Sequence, residues 1–524
     1  MIGYISFWAV HVFDHLIDLI HSRFPEAIND LENIAVQNPA INAFVLDRLA
    51  SRTAPRPHPF SLASDYTSWK SLTDRSYTGR HLPNAEQSYV NSLSAVDVRQ
   101  VGELFRRPAS GMVPCQRSST MFTAFAQWFT DGFLRTNSAD PRRNTSNHEI
   151  DLCQIYGLKE EVTDQLRSKE GGRLKSQLIN NEEYPPYVFE NGALKSEFSN
   201  LLVLGPKETR MPLQLTPEQA EQRQALMFAT GTERANSTLG YALLNTLFLR
   251  EHNRIAGVLA SAYDWDDERL FQTARNVLIV LLIKIVVEDY IAHISGVHLK
   301  ADPSVGYSKS WYRNNWMTIE FDLLYRWHSL TPNEFNTPVG LVSLTDYMYN
   351  NAMITDHGIG KNLAALSRQR AGRIGLFNTA DFLFYIEQLN IDTTRRFKLR
   401  SYNDYRNCFG LRRAKTFSDI NRDAEVHEKL AALYRTVDDV EWYVGMYAEE
   451  HPPLAMMGEL QTTMVANDAF SQALTNPLLA ERVFNRHTFS DKGWEIIQET
   501  ESLDQILQRN GSGGEHCSLP FLHL

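Results

Sequence analysis

The chain has 524 residues, 43% of them apolar and 22% charged, and carries a net charge of −10. That length suffices for one large domain around a deeply buried ligand. The acidic balance, without dense Lys/Arg blocks, sets nucleic acid aside as the main partner, because phosphate binding needs a concentrated basic face.

Residues Met1 to Phe24 lack a basic leader region, so no signal peptide is expected, and His11, Asp14, His15, Asp18 and His21 interrupt their apolar run at helical spacing. Periodicity alone makes this an amphipathic helix, lying on a surface or packed on the core. The proline-rich piece Ala54–Phe60 closes an N-terminal unit, residues 1–60, and precedes a single body at 61–510. Gly511-Ser-Gly-Gly514 opens a tail, 511–524. Within the body, helical periodicity over Leu239–Leu259, Asp267–Gly296, Trp316–Leu330 and Ala424–Tyr447 predicts a mainly α fold, with few alternating strands. The apolar run Val277–Val287 is too short to span a bilayer and reads as a buried central helix. Cys115, Cys153, Cys408 and Cys517 are far apart and contain no CxxC pair, which fits a reducing compartment. The sequons at Asn144 and Asn236 read as chance matches.

Walker A, dinucleotide-glycine, zincin and Gly-x-Ser-x-Gly spacings are all missing. The informative stretch is Phe321-Asp-Leu-Leu-Tyr-Arg-Trp-His328. On a continuous helix, Tyr325 and His328 share a face at i, i+3, and a phenol lies beside whatever the imidazole holds. Taken alone, such a histidine is more often a core residue than a ligand.

Its neighbours change that balance. Arg75-Ser-Tyr-Thr-Gly-Arg80, Phe125-Ala-Gln-Trp-Phe-Thr130, Leu249-Arg-Glu-His-Asn-Arg254, Glu288-Asp-Tyr290, Tyr325-Arg-Trp-His328 and Phe409-Gly-Leu411 occur in order along the chain. In this arrangement the chain resembles the animal-type haem peroxidase superfamily, most of all the prostaglandin endoperoxide synthases (cyclooxygenases) and related fatty-acid dioxygenases. The resemblance implies a large helical haem peroxidase domain preceded by membrane-facing helices. It makes His328 the proximal ligand of a b-type haem, with Trp327 packed nearby and Gln127 on the distal side. Tyr325 becomes the residue oxidised to a radical that takes a bis-allylic hydrogen from a fatty acid before O2 adds. Tyr290, Phe321 and Ser471 match channel positions, Val297 replaces a channel-mouth tyrosine, and Arg48 or Arg52 matches the carboxylate-binding arginine.

The departures lie on the distal side. Asp131 stands where the family keeps its acid/base histidine, and an exposed aspartate, with an ordinary pKa of ~3.9, is a weak base for peroxide cleavage. Arg234 matches an arginine of the myeloperoxidase-like members, and is either catalytic or the partner of an ion pair with Glu233 or Asp131. Thr130 and Ser237 replace haem-esterifying carboxylates, so non-covalent haem is expected, and Gly132 replaces a calcium-binding aspartate, so no calcium is expected there. The Cys-rich module of animal cyclooxygenases is missing, which suggests a bacterial or otherwise intracellular relative.

The expected activity is therefore oxygenation of C18 or C20 polyunsaturated fatty acids to hydroperoxides, with O2 and a peroxide activator, on a monotopic membrane surface, by a possible homodimer. The alternatives are a lipid hydroperoxide isomerase or peroxidase that uses Asp131 and Arg234, and a decayed haem-containing lipid-binding protein.

Overall fold

The computed structural model describes residues 38–52, 58–295, 298–452, 455–511 and 513–522. The expected helix at Met1–Phe24, most of the proline-rich piece and Val297 lie outside them.

The centre is built from the most continuously apolar sequence. Helix α3 (Leu239–Ala262) is capped by the Thr238 side chain, which accepts from the Tyr241 N–H. It is buried on every face through its first four turns, as a helix enclosed by others must be. After a short connection, α4 (Asp267–Ile285) starts on the Asp266 cap, with Asp267 and Glu268 facing the positive end of its dipole. The two helices pack along their length as a hairpin. The helical path from Asp267 continues to Ser295, but through a π turn at Val286–Tyr290 before α5 (Ile291–Ser295). That turn sets Tyr290 at its end, and π turns recur where a helix re-aims a functional side chain.

Preceding these in the chain, α1 (Pro39–Ala50) lies along a later helix of the chain, and α2 (Thr120–Thr130) packs against α3. Following them come α6 (Ile319–Leu324), α7 (Asp381–Arg396), α8 (Trp442–Ala448) and α9 (Glu459–Leu474), the last being the helix that α1 flanks. Strands among the described residues form only two-stranded antiparallel pairs, in keeping with a mainly α fold.

Two expected helices are broken. Trp316–Leu330 is α-helical only over Ile319–Leu324; the chain leaves the helix at Tyr325 and makes a single 3-10 turn at His328–Leu330. Side chains take carbonyls away from the helical ladder there, since Tyr447 Oη donates to Arg326 O at 2.8 Å and Gln461 Nε2 to Leu324 O at 3.3 Å. Pro332 then holds Thr331 extended. Ala424–Tyr447 splits into Ala424–Leu433 and α8, because Thr436 and Asp439 close a capping box that starts a new turn.

All four cysteines are free. Asn144 and Asn236 are buried, each with its side-chain amide bound to backbone, which suits structural asparagines rather than glycan acceptors. No described helix is long and apolar enough to cross a membrane.

Three histidines are buried in ways that disfavour their charged form. Burial lowers His252 to about 4, His293 to about 3 and His451 to about 4. His252 shows why the neutral ring fits, with Nδ1 accepting from Tyr156 Oη at 2.8 Å while Nε2 donates to Gly172 O at 2.9 Å. The unfolded chain binds more protons than the folded one between these values and the ordinary ~6.5, so stability falls as pH drops through that window. Asp289, raised by burial to about 6, works in the opposite sense. We expect a lower urea midpoint at pH 5 than at pH 7, with each histidine contributing about 2 kcal/mol of the loss. An equal or higher midpoint at pH 5 would show that these rings are not held neutral by the fold.

Candidate active site

The break after α6 separates the phenol from the imidazole instead of stacking them on one helical face. The Tyr325 ring packs between Phe321, at 5.1 Å, and Trp327, at 4.6 Å. Trp327 in turn stacks on Phe122 of α2 at 5.9 Å, which ties the broken segment to that helix. Although the Tyr325 side chain is only part-buried, its hydroxyl oxygen is fully enclosed and has no hydrogen-bond partner. The Tyr290 hydroxyl shares that condition. Each phenol is felt electrostatically by the other, and burial, foremost, pushes both above the ordinary tyrosine value. After burial, the charge of Asp468 adds to the effect on Tyr325. The two enclosed phenols thus have each other as their polar neighbours, a buried pair that calls for an explanation.

His328 has one nitrogen pinned and one open. Its Nδ1 lies 3.0 Å from Glu387 Oε1, while Nε2 makes no protein hydrogen bond among the described residues. An imidazole that ligates a metal has this arrangement, with one ring nitrogen fixed by a carboxylate and the other bare. On α2, nine of eleven residues are buried and Gln127 is the exposed one. Its Oε1 accepts from Thr238 Oγ1 at 3.4 Å. A haem held through His328 Nε2 would fit this open ring nitrogen, and Gln127 is a further polar side chain exposed on α2. The described residues contain no cluster of three or more His, Cys, Asp or Glu suited to a bare metal ion.

Asp131 is 7% exposed and its oxygens are already engaged. Arg234 Nη2 donates to Oδ1, Tyr241 Oη donates to Oδ2 at 2.9 Å, and Arg135 Nη1 lies 3.4 Å from Oδ2. Arg135 also clamps Glu233 through two bonds of 2.8 and 2.6 Å. The structural alternative for Arg234, an ion pair with Asp131, is therefore what is found, whereas Glu233 belongs to Arg135. Two guanidiniums and a phenol thus occupy three of the roughly four lone-pair sites of this carboxylate.

The substrate-side residues converge on α9. Ser471 is buried and its Oγ lies 3.2 Å from Asp468 O. Asp468 Oδ2 meets His81 Nε2 at 2.9 Å, with both side chains almost fully buried. Arg48 is half-buried in the last turn of α1. Arg52 follows α1, with its backbone N–H on Asn467 Oδ1 at 3.2 Å and its guanidinium 3.5 Å from Phe409 O. Sequence reasoning missed Glu387, Tyr241, Arg135 and His81. Only Arg135 carried a signal, its i, i+4 spacing from Asp131.

Removing the Asp131 carboxylate leaves buried Arg135 with Glu233 as its remaining ion-pair partner and Arg234 to solvent. Asp131→Ala is expected to cost about 1–3 kcal/mol, measured as a fall in the urea midpoint. Arg234→Ala, with a side chain 50% exposed, is expected to cost less than about 1 kcal/mol. A loss within about 0.5 kcal/mol for Asp131→Ala would remove it from the anchoring role.

The animal haem peroxidase family matches residues 79–519. Prostaglandin G/H synthase 2 of Equus caballus is 32% identical over 473 residues, 87% of this chain and 74% of the relative. The Gallus gallus synthase 2 is 31% identical over 518 residues, 96% of this chain and 82% of its own length. Among solved structures, Oryza sativa fatty acid alpha-dioxygenase superposes with a TM-score of 0.70 at 16% identity, covering 98% of this chain and 94% of that one. Peroxidase A of Dictyostelium discoideum gives 0.67 at 19% identity, covering 81% and 91%. These two share the fold. With most of its length matched by the family and by relatives above 30% identity, the chain belongs to the animal haem peroxidase family and is a cyclooxygenase-like oxidoreductase.

Proposed function

We propose that this protein is a haem-dependent dioxygenase that converts C18 or C20 polyunsaturated fatty acids to hydroperoxides through a radical on Tyr325. The observation that carries the reading is the enclosed, unpartnered Tyr325 hydroxyl three residues from the open nitrogen of His328. The relatives are named for prostaglandin G/H synthesis and the rice neighbour for fatty acid alpha-dioxygenation, which supports a fatty acid as substrate. When bound, haem b supplies one-electron oxidation driven by a peroxide activator.

The chain's own residues do the rest. Because burial holds the Tyr325 phenol neutral, its proton and electron leave together, and the enclosed pocket around Tyr290 keeps water from quenching the oxyl oxygen. That oxygen takes one bis-allylic hydrogen from the fatty acid. O2 adds to the resulting carbon radical, and hydrogen return from Tyr325 closes the cycle, so RH and O2 become ROOH. Phe321, Tyr290 and Ser471 shape the channel that presents the carbon, and orientation of this kind is where the protein contributes most.

Arg52 anchors the substrate carboxylate in this reading, supported by its attachment to α9 through Asn467, while Arg48 serves the outer helix face. Gln127 donates to the bound peroxide; Asp131 and Arg234 stabilise the wall behind it without transferring protons. Non-covalent haem is supported by Thr130 and Ser237, which offer hydroxyls instead of carboxylates. Calcium is not assigned, because a Cβ at Gly132 would lie 2.9 Å from Gln154 Nε2, so an amide fills that place. Exposed Tyr66 and Trp69 support attachment to a membrane surface, where aromatic rings partition to the headgroup level. Homodimer formation follows the relatives only by analogy.

Purified haem-loaded protein is expected to consume O2 with linoleate or arachidonate and release a hydroperoxide in equal amount. Tyr325→Phe should keep the Soret band and lose O2 uptake; uptake retained in that variant would overturn the radical mechanism. His328→Ala should fail to hold haem. Loss of a charge-assisted carboxylate contact in Arg52→Ala should raise KM for linoleate about tenfold, roughly 1.4 kcal/mol, with Arg48→Ala near wild type. The reverse ranking would move the anchor to Arg48.

A further inference from the structure

Glu387 has no task in the reaction above, yet it is 1% exposed. Its only ion-pair contact among the described residues is with His328 Nδ1, at 3.0 Å. Neutral groups converge on the carboxylate: Thr379 Oγ1 donates to Oε1 at 3.0 Å and Tyr443 Oη to Oε2 at 2.7 Å. Asn390, one turn along α7, donates to the Tyr443 oxygen at 2.9 Å and orients that phenol. All three donors are buried. A buried carboxylate without a Lys or Arg is costly even when hydrogen-bonded, because dipoles lower the penalty without cancelling the charge. Among the described residues no Lys or Arg forms an ion pair with it, and the cation that His328 can bring toward it is whatever the far nitrogen of that ring holds. A ring N–H donated to a carboxylate also fixes the tautomer and strengthens the opposite nitrogen as a ligand.

We infer that Glu387 is a positioning residue that draws the Nδ1 proton of His328 toward its carboxylate, makes Nε2 a stronger donor, and so favours ferric over ferrous iron. The inference rests on His328 being the haem ligand proposed above. Tyr443 and Thr379 act against Glu387, since every hydrogen bond given to the carboxylate spreads its charge and weakens its pull on the imidazole. The site is therefore graded, with one residue pulling and two restraining, and the two directions can be tested separately.

The experiment uses the full chain loaded with haem b and needs no fatty acid. It reads the ferric/ferrous midpoint by spectroelectrochemistry and the iron–histidine stretch of the ferrous form by resonance Raman. Glu387→Gln keeps the shape and removes the charge. It should shift the equilibrium at least tenfold toward ferrous iron, about 59 mV for a one-electron couple, and lower the stretching frequency. Tyr443→Phe should move both readings the other way. Unchanged readings in both variants, or shifts in the same direction, would overturn the inference. If Glu387→Gln fails to hold haem, Tyr443→Phe decides alone, and an unchanged midpoint there overturns it. Wild-type protein that shows the iron–histidine stretch but takes up no O2 with linoleate would overturn the proposed reaction and leave this inference standing.

Discussion

Everything at the centre depends on the chain leaving the helix at Tyr325. A continuous helix would have stacked the phenol over the imidazole on one face. Instead, Tyr447 and Gln461 capture the carbonyls of Arg326 and Leu324, and the backbone turns so that Trp327 fills the corner against Phe122. Both captors come from late in the chain, on α8 and α9, so the geometry of the motif is fixed by long-range packing. The phenol is left facing Tyr290, where the charge of Asp468 on α9 is felt, while the imidazole faces Glu387. Two side chains three residues apart thereby serve two separate environments, one apolar and enclosed, the other polar and charged.

The distal side follows a different logic. Where an acid/base histidine would need a mobile proton, Asp131 is held by Arg234, Tyr241 and Arg135, and Arg135 extends the cluster to Glu233. Arg135 is the cation that both carboxylates share, so the network depends most on its buried members and least on half-exposed Arg234. It stiffens the end of α2 and the loop before α3, the two elements that frame Gln127. In the proposed reading the aspartate contributes rigidity and not proton transfer.

Much of this was legible in the sequence, and the failures have two causes, partners distant in the chain and a local cap. The long helices Leu239–Ala262 and Asp267–Ser295 follow from apolar periodicity, which is a local property. His328, Tyr325 and Gln127 stand out because their spacing is itself part of the chemistry. The breaks within Trp316–Leu330 and Ala424–Tyr447 were not visible, because side chains far away in sequence compete for the carbonyls in the first case and a short capping box outweighs periodicity in the second. Of the groups that hold Asp131, Arg234 was already offered as an alternative by the sequence, whereas Tyr241, 110 residues away, carried no signal. Glu387 has no spacing signal at all. It lies on an ordinary amphipathic helix, and only the fold brings it to the imidazole.

The two sides of the proposed haem pocket also complement each other chemically. Cleaving a peroxide draws on two sources, proton movement on the distal side and electron donation from the proximal ligand. With Asp131 committed to guanidiniums, the first source is weak, and a carboxylate against His328 Nδ1 strengthens the second. A slow peroxide step is tolerable in an enzyme whose tyrosyl radical is regenerated by each turnover, since activation is then needed only to start the cycle and to replace radicals that escape. A plain peroxidase consumes one peroxide per turnover and has no such latitude. The distal lock and the enclosed Tyr325 hydroxyl therefore point in the same direction, toward oxygenation and away from the sustained reduction of hydroperoxides.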